Sequence, residues 1–519
     1  MAQLNFAGEY KVTDLKLMTS SGNVVELGAT YLAIDLYEDI FSSSMSGTVT
    51  FIDTNNICMN MPVTGQDFLS MRIETPSLEE HAIDYTDTVF VVTKIDARIK
   101  GKNVETVVLH FVSPELSRNT RVRVSKSYTD SIDRIVYDLL NNSRYINSNK
   151  ELFIEPTKGI RKIVTPYVHP FTVIKNFTRE ALSKKYNSPH YLFYENRAGI
   201  HFRSLESLYR QATTGFYHSG DIGTIEDGNK KIEQEYYTVM DYQIKTNNDT
   251  LANITGGMLA SRMYTYDMFQ KYYELNTFNY FEEFDKYKRI NFNNRRKDNP
   301  IYNEVILDEF GNNLSDFDDA VVHLYPTSRT EAGGDATRND DNAKFDYNKR
   351  AKTYSPSGIS DAYLKRQAKF MELNSCASAS LRVKGNTTIM VGDIIDFQVP
   401  ITGTNHSKDD SDIYYSGRYM ISQLRHMFDK GTKQRRKKIQ VQTSLNTPFF
   451  QLWRNSFSIV DGPKCPHYPT CSHFFHLSLH KHHAHAFYFL ASRLLEEFDL
   501  SEFSRYYYLK KVKKSSFFH

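Results

Sequence analysis

The sequence predicts a β-rich α+β chain: two similar β-barrel domains, with α+β segments inserted between or within them. Three observations carry this. Residues 88–100 (TVFVVTKIDARIK) and 104–112 (VETVVLHFV) alternate apolar and polar side chains on either side of the turn GKN, the pattern of a half-buried hairpin. From about Asn119 the apolar period lengthens to that of helices. Late in the chain, the strand pattern of the first 118 residues returns at similar spacing.

Composition bounds the reading. The 519 residues suffice for several domains, and 40% hydrophobic content suffices for substantial cores. Tyr (35) and Phe (34) are abundant and Trp occurs once, a bias toward strands. A net charge of +3 argues against a dedicated nucleic-acid binder. The start MAQLNFAGEYKV lacks the basic-then-apolar form of a secretory signal, and no run of 18 or so apolar residues suggests a membrane span. Four cysteines make no disulfide framework at this length, so a reducing compartment is expected, with Cys58 and Cys376 as inert core thiols.

Taken in order, residues 1–118 are expected to form the first β-barrel domain. In its hairpin, Val89, Val91, Ile95, Ala97 and Ile99 are expected to share one face, with Lys94, Asp96, Arg98 and Lys100 on the other. Residues 119–231 read as an α+β domain. Thr129 is placed to cap a helix whose Ile132, Ile135, Val136, Leu139 and Leu140 form one stripe. A second helix starts near Pro170 and turns Ile174, Phe177 and Ala181 inward. Tyr191, Phe193, Ile200 and Phe202 mark two strands around the turn ENRAG. A second, discontinuous barrel is assigned to residues 232–262 and 369–446, with 235–254 as its early strands and strands resuming from Ala368. Residues 263–368 are an inserted region of helix and polar loops, with long surface loops over 285–360. Residues 447–519 form an atypical His- and aromatic-rich extension.

The repeat rests on two alignments. TGQDFLSMRIE (64–74) matches VGDIIDFQV (391–399), and FVVTKI (90–95) matches YMISQL (419–424) in character at every position. Gly65 and Phe90 lie 25 positions apart, Gly392 and Tyr419 27 apart. Each aromatic strand is followed by a polar turn and another alternating strand, the later one carrying Ile439, Val441, Thr443 and Leu445. The serine-rich entry FSSSMSGTVTFID (41–53) then has its counterpart in LNSCASASLRV (373–383). Small residues before a strand allow another backbone to approach closely.

Residues 38–445 resemble the baseplate central hub subunit of T-even-type contractile-tailed phages. The segments DIFSSSMSGTVTFID, HPFTVIKNFTREAL with YLFYENRAGIHFRSLESL, GGMLASRMYTYDMFQKYYE, and VGDIIDFQVP with SGRYMISQL carry the resemblance, in that order. It implies a tail-tube-like pair of barrels per chain and a homotrimer offering six similar units. One face would dock the tail-tube protein, and the other the central spike or tail lysozyme, around a channel that DNA traverses without specific binding. Baseplate wedge and tape-measure proteins are further implied partners. The implied location is the virion tail, assembled in the host cytoplasm, and type VI secretion spike proteins share this logic.

No phosphate loop, HExxH or GxSxG is present, and neither a cofactor, a metal nor a catalytic residue is expected. YFEEFD (280–285) and DEFGNNLSDFDD (308–319) read as solvated acidic runs, the latter without Ca²⁺-loop spacing. DKGTKQRRKK (429–438) reads as a basic hairpin tip whose Arg435 and Arg436 are candidates for contact with tube, spike or DNA. Cys465, Cys471, His473 and His476 are Zn²⁺-type ligands, but not at the spacing of a common zinc module. Rival readings are a tail-associated cell-wall-degrading enzyme and a carbohydrate-binding β protein.

Overall fold

A computed structural model describes residues 7–442, apart from residues 21, 55–65, 76–80, 102–103, 220–233, 247–249, 268–271, 284–285, 288–289, 291–309, 327–358, 376, 402–410, 413–414 and 431–438. Cys58, Cys376, Arg435, Arg436 and the whole stretch after 442 lie outside the described residues.

The first alternating segments become β1 (Lys11–Met18), β2 (Val24–Glu26), β3 (Tyr31–Asp39), β4 (Ser46–Asp53), β5 (Phe68–Glu74), β6 (Ile83–Lys100) and β7 (Glu105–Val112). Every second residue faces one core: Ile34 and Leu36 on β3, Val49 and Phe51 on β4, and Val107, Leu109 and Phe111 on β7. The rings of Tyr85, Phe90 and Phe111 pack in sequence at 4.4 and 4.7 Å. The hairpin of β6 and β7 is as expected, but its face is not. Phe90 and Val92 are buried, whereas Val91 is only half-buried and Ile99 is 65% exposed. Val91 faces outward before either irregularity; two register shifts on β6, between Val92 and Lys94 and between Ile95 and Ala97, turn Ile95 to the core side opposite Leu109 and return Ile99 to the outer side opposite Thr106. Each irregularity moves the following residues to the opposite face.

The helical period yields α1 (Pro114–Arg121), α2 (Ile132–Asn141), α3 (Pro170–Glu180) and α4 (Leu205–Tyr209), interleaved with β8 (Ser127–Asp130), β9 (Leu152–Ile154), β10 (Arg161–Val164), β11 (Tyr191–Asn196) and β12 (Gly199–Ser204). All five stripe residues of α2 are buried, each contributing about 1.5–3 kcal/mol. Thr129 does not cap this helix: it lies in β8, and Ser131 holds the cap position. Pro170 starts α3, and Ile174, Phe177 and Ala181 face the same core as predicted. β11 and β12 pair around Ala198, with parallel β9 on the far side of β12. At Gly199 (φ 154°) a Cβ would meet the Glu151 carbonyl oxygen at 2.2 Å, so only glycine fits this approach.

The remainder comprises β13 (Thr213–His218), β14 (Val239–Thr246), α5 (Thr250–Thr255), β15 (Ala260–Asp267), β16 (Tyr272–Asn279), α6 (Tyr280–Glu283), β17 (Val322–Pro326), α7 (Ile359–Ser375), β18 (Ala377–Val383), β19 (Ile394–Gln398), β20 (Gly417–Met420), β21 (Gln423–Asp429) and β22 (Ile439–Gln442). Four expectations fail here: residues 250–254, expected among the early strands, lie in α5, and residues 263–267 and 272–279, expected as helix or polar loop, lie in β15 and β16. Residues 322–326, expected in a loop, form β17 parallel to β15. Residues 368–375, expected in a strand, complete the long helix α7, whose Leu364 and Ala368 bury against Met258, Met263 and Phe278.

One sheet runs β14-β18-β22-β21-β3-β4-β7-β6-β5-β1-β2. Within it, the order β3-β4-β7-β6 recurs as β14-β18-β22-β21. The match extends to register. The β3–β4 ladder slips between Tyr31 and Ala33, and the β14–β18 ladder slips at the same place, between Val239 and Asp241. Leu69 of β5 lies opposite Phe90, and Ile395 of β19 opposite Tyr419, the two aromatics aligned in the sequence. The two strand sets meet where β21 pairs antiparallel with β3, from Gln423 opposite Asp39 to Asp429 opposite Ala33.

Candidate assembly surfaces

The serine-rich entry to β4 lies at a buried junction. Met45 N–H donates to Glu195 Oε2 at 3.0 Å, and Ser113 Oγ donates to Glu195 Oε1 at 2.8 Å. Ser42 Oγ donates to the Ser44 carbonyl at 2.8 Å, and Ser43 and Ser44 are buried. At Gly47 a Cβ would meet Phe111 Cζ at 2.2 Å and the Asp35 carbonyl oxygen at 2.4 Å. Small residues are therefore required because the Phe111 ring and the neighbouring strand occupy the space a side chain would take.

Behind this entry sits a charged cluster closed to solvent. Lys150 Nζ bonds Glu195 Oε1 and, at 2.9 Å, Glu115 Oε2. Burial lowers the Lys150 pKa, but the Glu195 and Glu115 carboxylates outweigh it and hold the ammonium above its ordinary value. Burial pushes Glu195 up, against the pull of Lys150. Nearby, Glu38 of β3 accepts from Val391 N–H at 3.1 Å, and burial raises its carboxyl to about 7 although the Arg197 guanidinium opposes this. These residues tie β3 and β4 to the α+β segment and to the loop before β19. They are a structural joint: the Lys150, Glu115 and Glu195 side chains are at most 8% exposed.

One constellation has the residue types of a nucleophilic site. Ser188 Oγ and His190 Nδ1 (2.6 Å) both bond the Glu206 carboxylate, and Ser188 also contacts His190 Nδ1 at 3.2 Å. Burial raises Glu206, but His190 and the Ser188 hydrogen bond outweigh it and keep the carboxyl below its ordinary value. A triad places the serine on the imidazole nitrogen that does not face the acid. Here serine and acid share Nδ1, and all three residues are buried. The arrangement braces the turn before β11.

Two kinds of surface remain. The first is strand edge: among the described strands, β14 pairs only with β18, and residues 94–100 of β6 pair only with β7. The second is the sheet β16-β15-β17, one face of which carries Tyr264 and Tyr266, Tyr273 and Leu275, and Val322 and Leu324, adjacent in register. Leu324 is 76% and Tyr273 64% exposed. Arg262, on the same face, is bound by Asp318 and Asp319, so the acidic run at 308–319 serves in part as an ion-pair partner. Among the described residues no group of His, Cys, Asp and Glu is arranged to hold a metal ion, and no helix is long and apolar enough to cross a membrane.

No protein-family model matches the chain. A curated relative, described as probable baseplate hub protein gp334 of Vibrio phage KVP40, is 23% identical over 405 residues, covering 76% of this chain and 85% of the relative. The likeness to phage baseplate hub proteins read from the sequence is thus found again by direct comparison. Similar solved structures include the 43 kDa tail protein of prophage MuSo2 from Shewanella oneidensis (TM-score 0.44, 7% identity, 82% of this chain and 97% of that one). Another is the E. coli c3393 protein, described as a component of the type VI secretion system (TM-score 0.40, 10% identity, 84% and 77%).

Proposed function

We propose that this chain is the structural hub of a contractile-tail phage baseplate, a trimeric adaptor between a six-fold tail tube and a three-fold central spike. The observation that carries the reading is the recurrence of β3-β4-β7-β6 as β14-β18-β22-β21, with the bulge at the same place in both. We read these sets as the faces of two similar barrels, one within residues 1–118 and one within 232–262 and 369–446. Two equivalent units per chain turn three chains into six docking positions, which is what a three-to-six-fold adaptor requires. The printed name of the Vibrio phage relative points the same way. The tube and the spike are then the protein partners, the channel passes DNA without reading it, and the protein acts in the virion tail after assembly in the host cytoplasm. Residues 119–231 and 263–368 are insertions around the ring.

The function needs no catalysis. Light scattering after size exclusion of the full chain, alone and with a candidate spike protein, tests the adaptor. A mass of three chains is expected, and a strict monomer under both conditions overturns it. A zymogram on peptidoglycan addresses the enzymatic rival, and clearing that survives repurification would replace the structural reading. The exposed Tyr266 and Tyr273, with the half-buried Tyr264 beside them, favour carbohydrate binding as a second reading, since flat aromatic faces stack on sugar rings. Saturable binding on a glycan array would establish it.

A further inference from the structure

The two faces of the sheet β16-β15-β17 are finished differently. One is covered by α7: the Tyr363 ring meets His323 at 5.1 Å, and Leu364 and Ala368 pack with Met263 and Phe278. Yet this covered face is largely polar, with Thr265, Glu274, Asn276 and His323 among its residues. The opposite face carries Tyr264, Tyr266, Tyr273, Leu275, Val322 and Leu324. It is open to solvent, with Val322 51% and Leu275 47% exposed. The sheet therefore buries its more polar side and exposes its more apolar one.

Single apolar side chains are ordinary on a surface, but a patch in register across three strands marks a contact. The parallel pair β15–β17 points the same way, since parallel strands are normally covered on both faces. We propose that this face docks one amphipathic α-helix of another protein, its apolar stripe on the sheet and its basic end over Arg262. The inference goes beyond the hub reading and makes no use of the number of chains.

Size, chemistry and charge select this occupant. The outer strands of a three-stranded sheet lie about 10 Å apart, close to the diameter of one helix, about 10–12 Å. A single helix, α7, already covers the other face. The register supplies a groove for an apolar stripe: Tyr264 lies between Leu275 and Leu324, and Tyr266 lies beside Tyr273. Such a stripe recurs at i, i+3, i+4 and i+7 on an amphipathic helix. Sugars fit less well, because Leu275, Val322 and Leu324 offer them neither a ring nor a hydrogen bond. At the end where Arg262 lies beside Val322, Asp318 and Asp319 share that one guanidinium. Two carboxylates against one cation leave one negative charge in excess, and the Asp319 side chain is 76% exposed. A lysine or arginine of the partner completes this end.

The test is a titration of the full chain with a stapled helical peptide of 17 residues, the length of α7. The peptide carries one leucine stripe and lysines at its C-terminal end; a twin carries glutamates there. Saturable binding of the lysine peptide is expected, at least tenfold tighter than that of its twin. Leu324→Asp and Leu275→Asp should each weaken it at least tenfold, and Asp319→Lys should reverse the preference between the twins. Both leucines are exposed, so the thermal midpoints of these variants should stay with that of the unaltered chain, which separates lost docking from lost folding. Absence of saturable binding, or binding that survives both leucine changes, overturns the docking site. Equal affinity for the twins overturns the basic end. Glycan binding lost in Tyr273→Ala, without peptide binding, gives the face to sugars instead. Self-association on concentration that Leu324→Asp abolishes gives it to a second copy of the chain. None of these results bears on the mass measurement that tests the hub.

Discussion

Glu38→Gln should make the protein more stable at pH 8 and leave it unchanged at pH 4. Glu38 is 2% exposed, its Oε2 accepts from Val391 N–H at 3.1 Å, and its Oε1 has no hydrogen-bond partner among the described residues. Burial raises the carboxyl from 4.5 to about 7 in the folded chain, with the Arg197 guanidinium and the Val391 hydrogen bond opposing. The sign follows from linkage: the unfolded chain releases this proton near 4.5 and the folded chain only near 7. Stability is therefore lost as pH rises between these values and is constant above them. The separation corresponds to roughly 3 kcal/mol at full ionisation. Glutamine keeps an oxygen for Val391 and never ionises, so it avoids that loss. The assay is urea unfolding of wild type and variant at one protein concentration from pH 4 to 8.5, followed by tyrosine fluorescence. The two midpoints should coincide at the acid end, separate between pH 4.5 and 7, and stay apart above. Parallel curves throughout, or a less stable variant at pH 8, would refute the burial argument.

Three further outcomes follow from the same packing. Lys150→Met leaves Glu115 and Glu195 buried without their shared cation and should destabilise by about 3–5 kcal/mol at pH 7; thermal unfolding checks this, and the loss should shrink in acid as the carboxylates protonate. Gly47→Ala pushes a methyl into Phe111 and the Asp35 carbonyl and should cost about 3 kcal/mol. Adding Phe111→Leu should not restore the midpoint, because the carbonyl remains in place. Leu139→Ala, beneath the α2 stripe, should cost about 2–5 kcal/mol in the same assay.

What the sequence revealed depended on the period of its side chains. Alternation at fixed spacing made β5, β6, β19 and β20 comparable, and Phe90 and Tyr419 do occupy matching places in their ladders. Parity within β6 was not legible, because residues 89–92 are apolar on both faces and the two later bulges arise from pairing with β7 and leave no local mark. The helix stripes were legible because α2 and α3 each bury one continuous face. α7 was misread at its end because its core-facing residues include alanines and a paired Lys369 and Glu372, which look like surface. The charged junction was invisible for a similar reason. Glu38, Glu115, Lys150 and Glu195 are ordinary surface residues by composition, and only the fold brings them together.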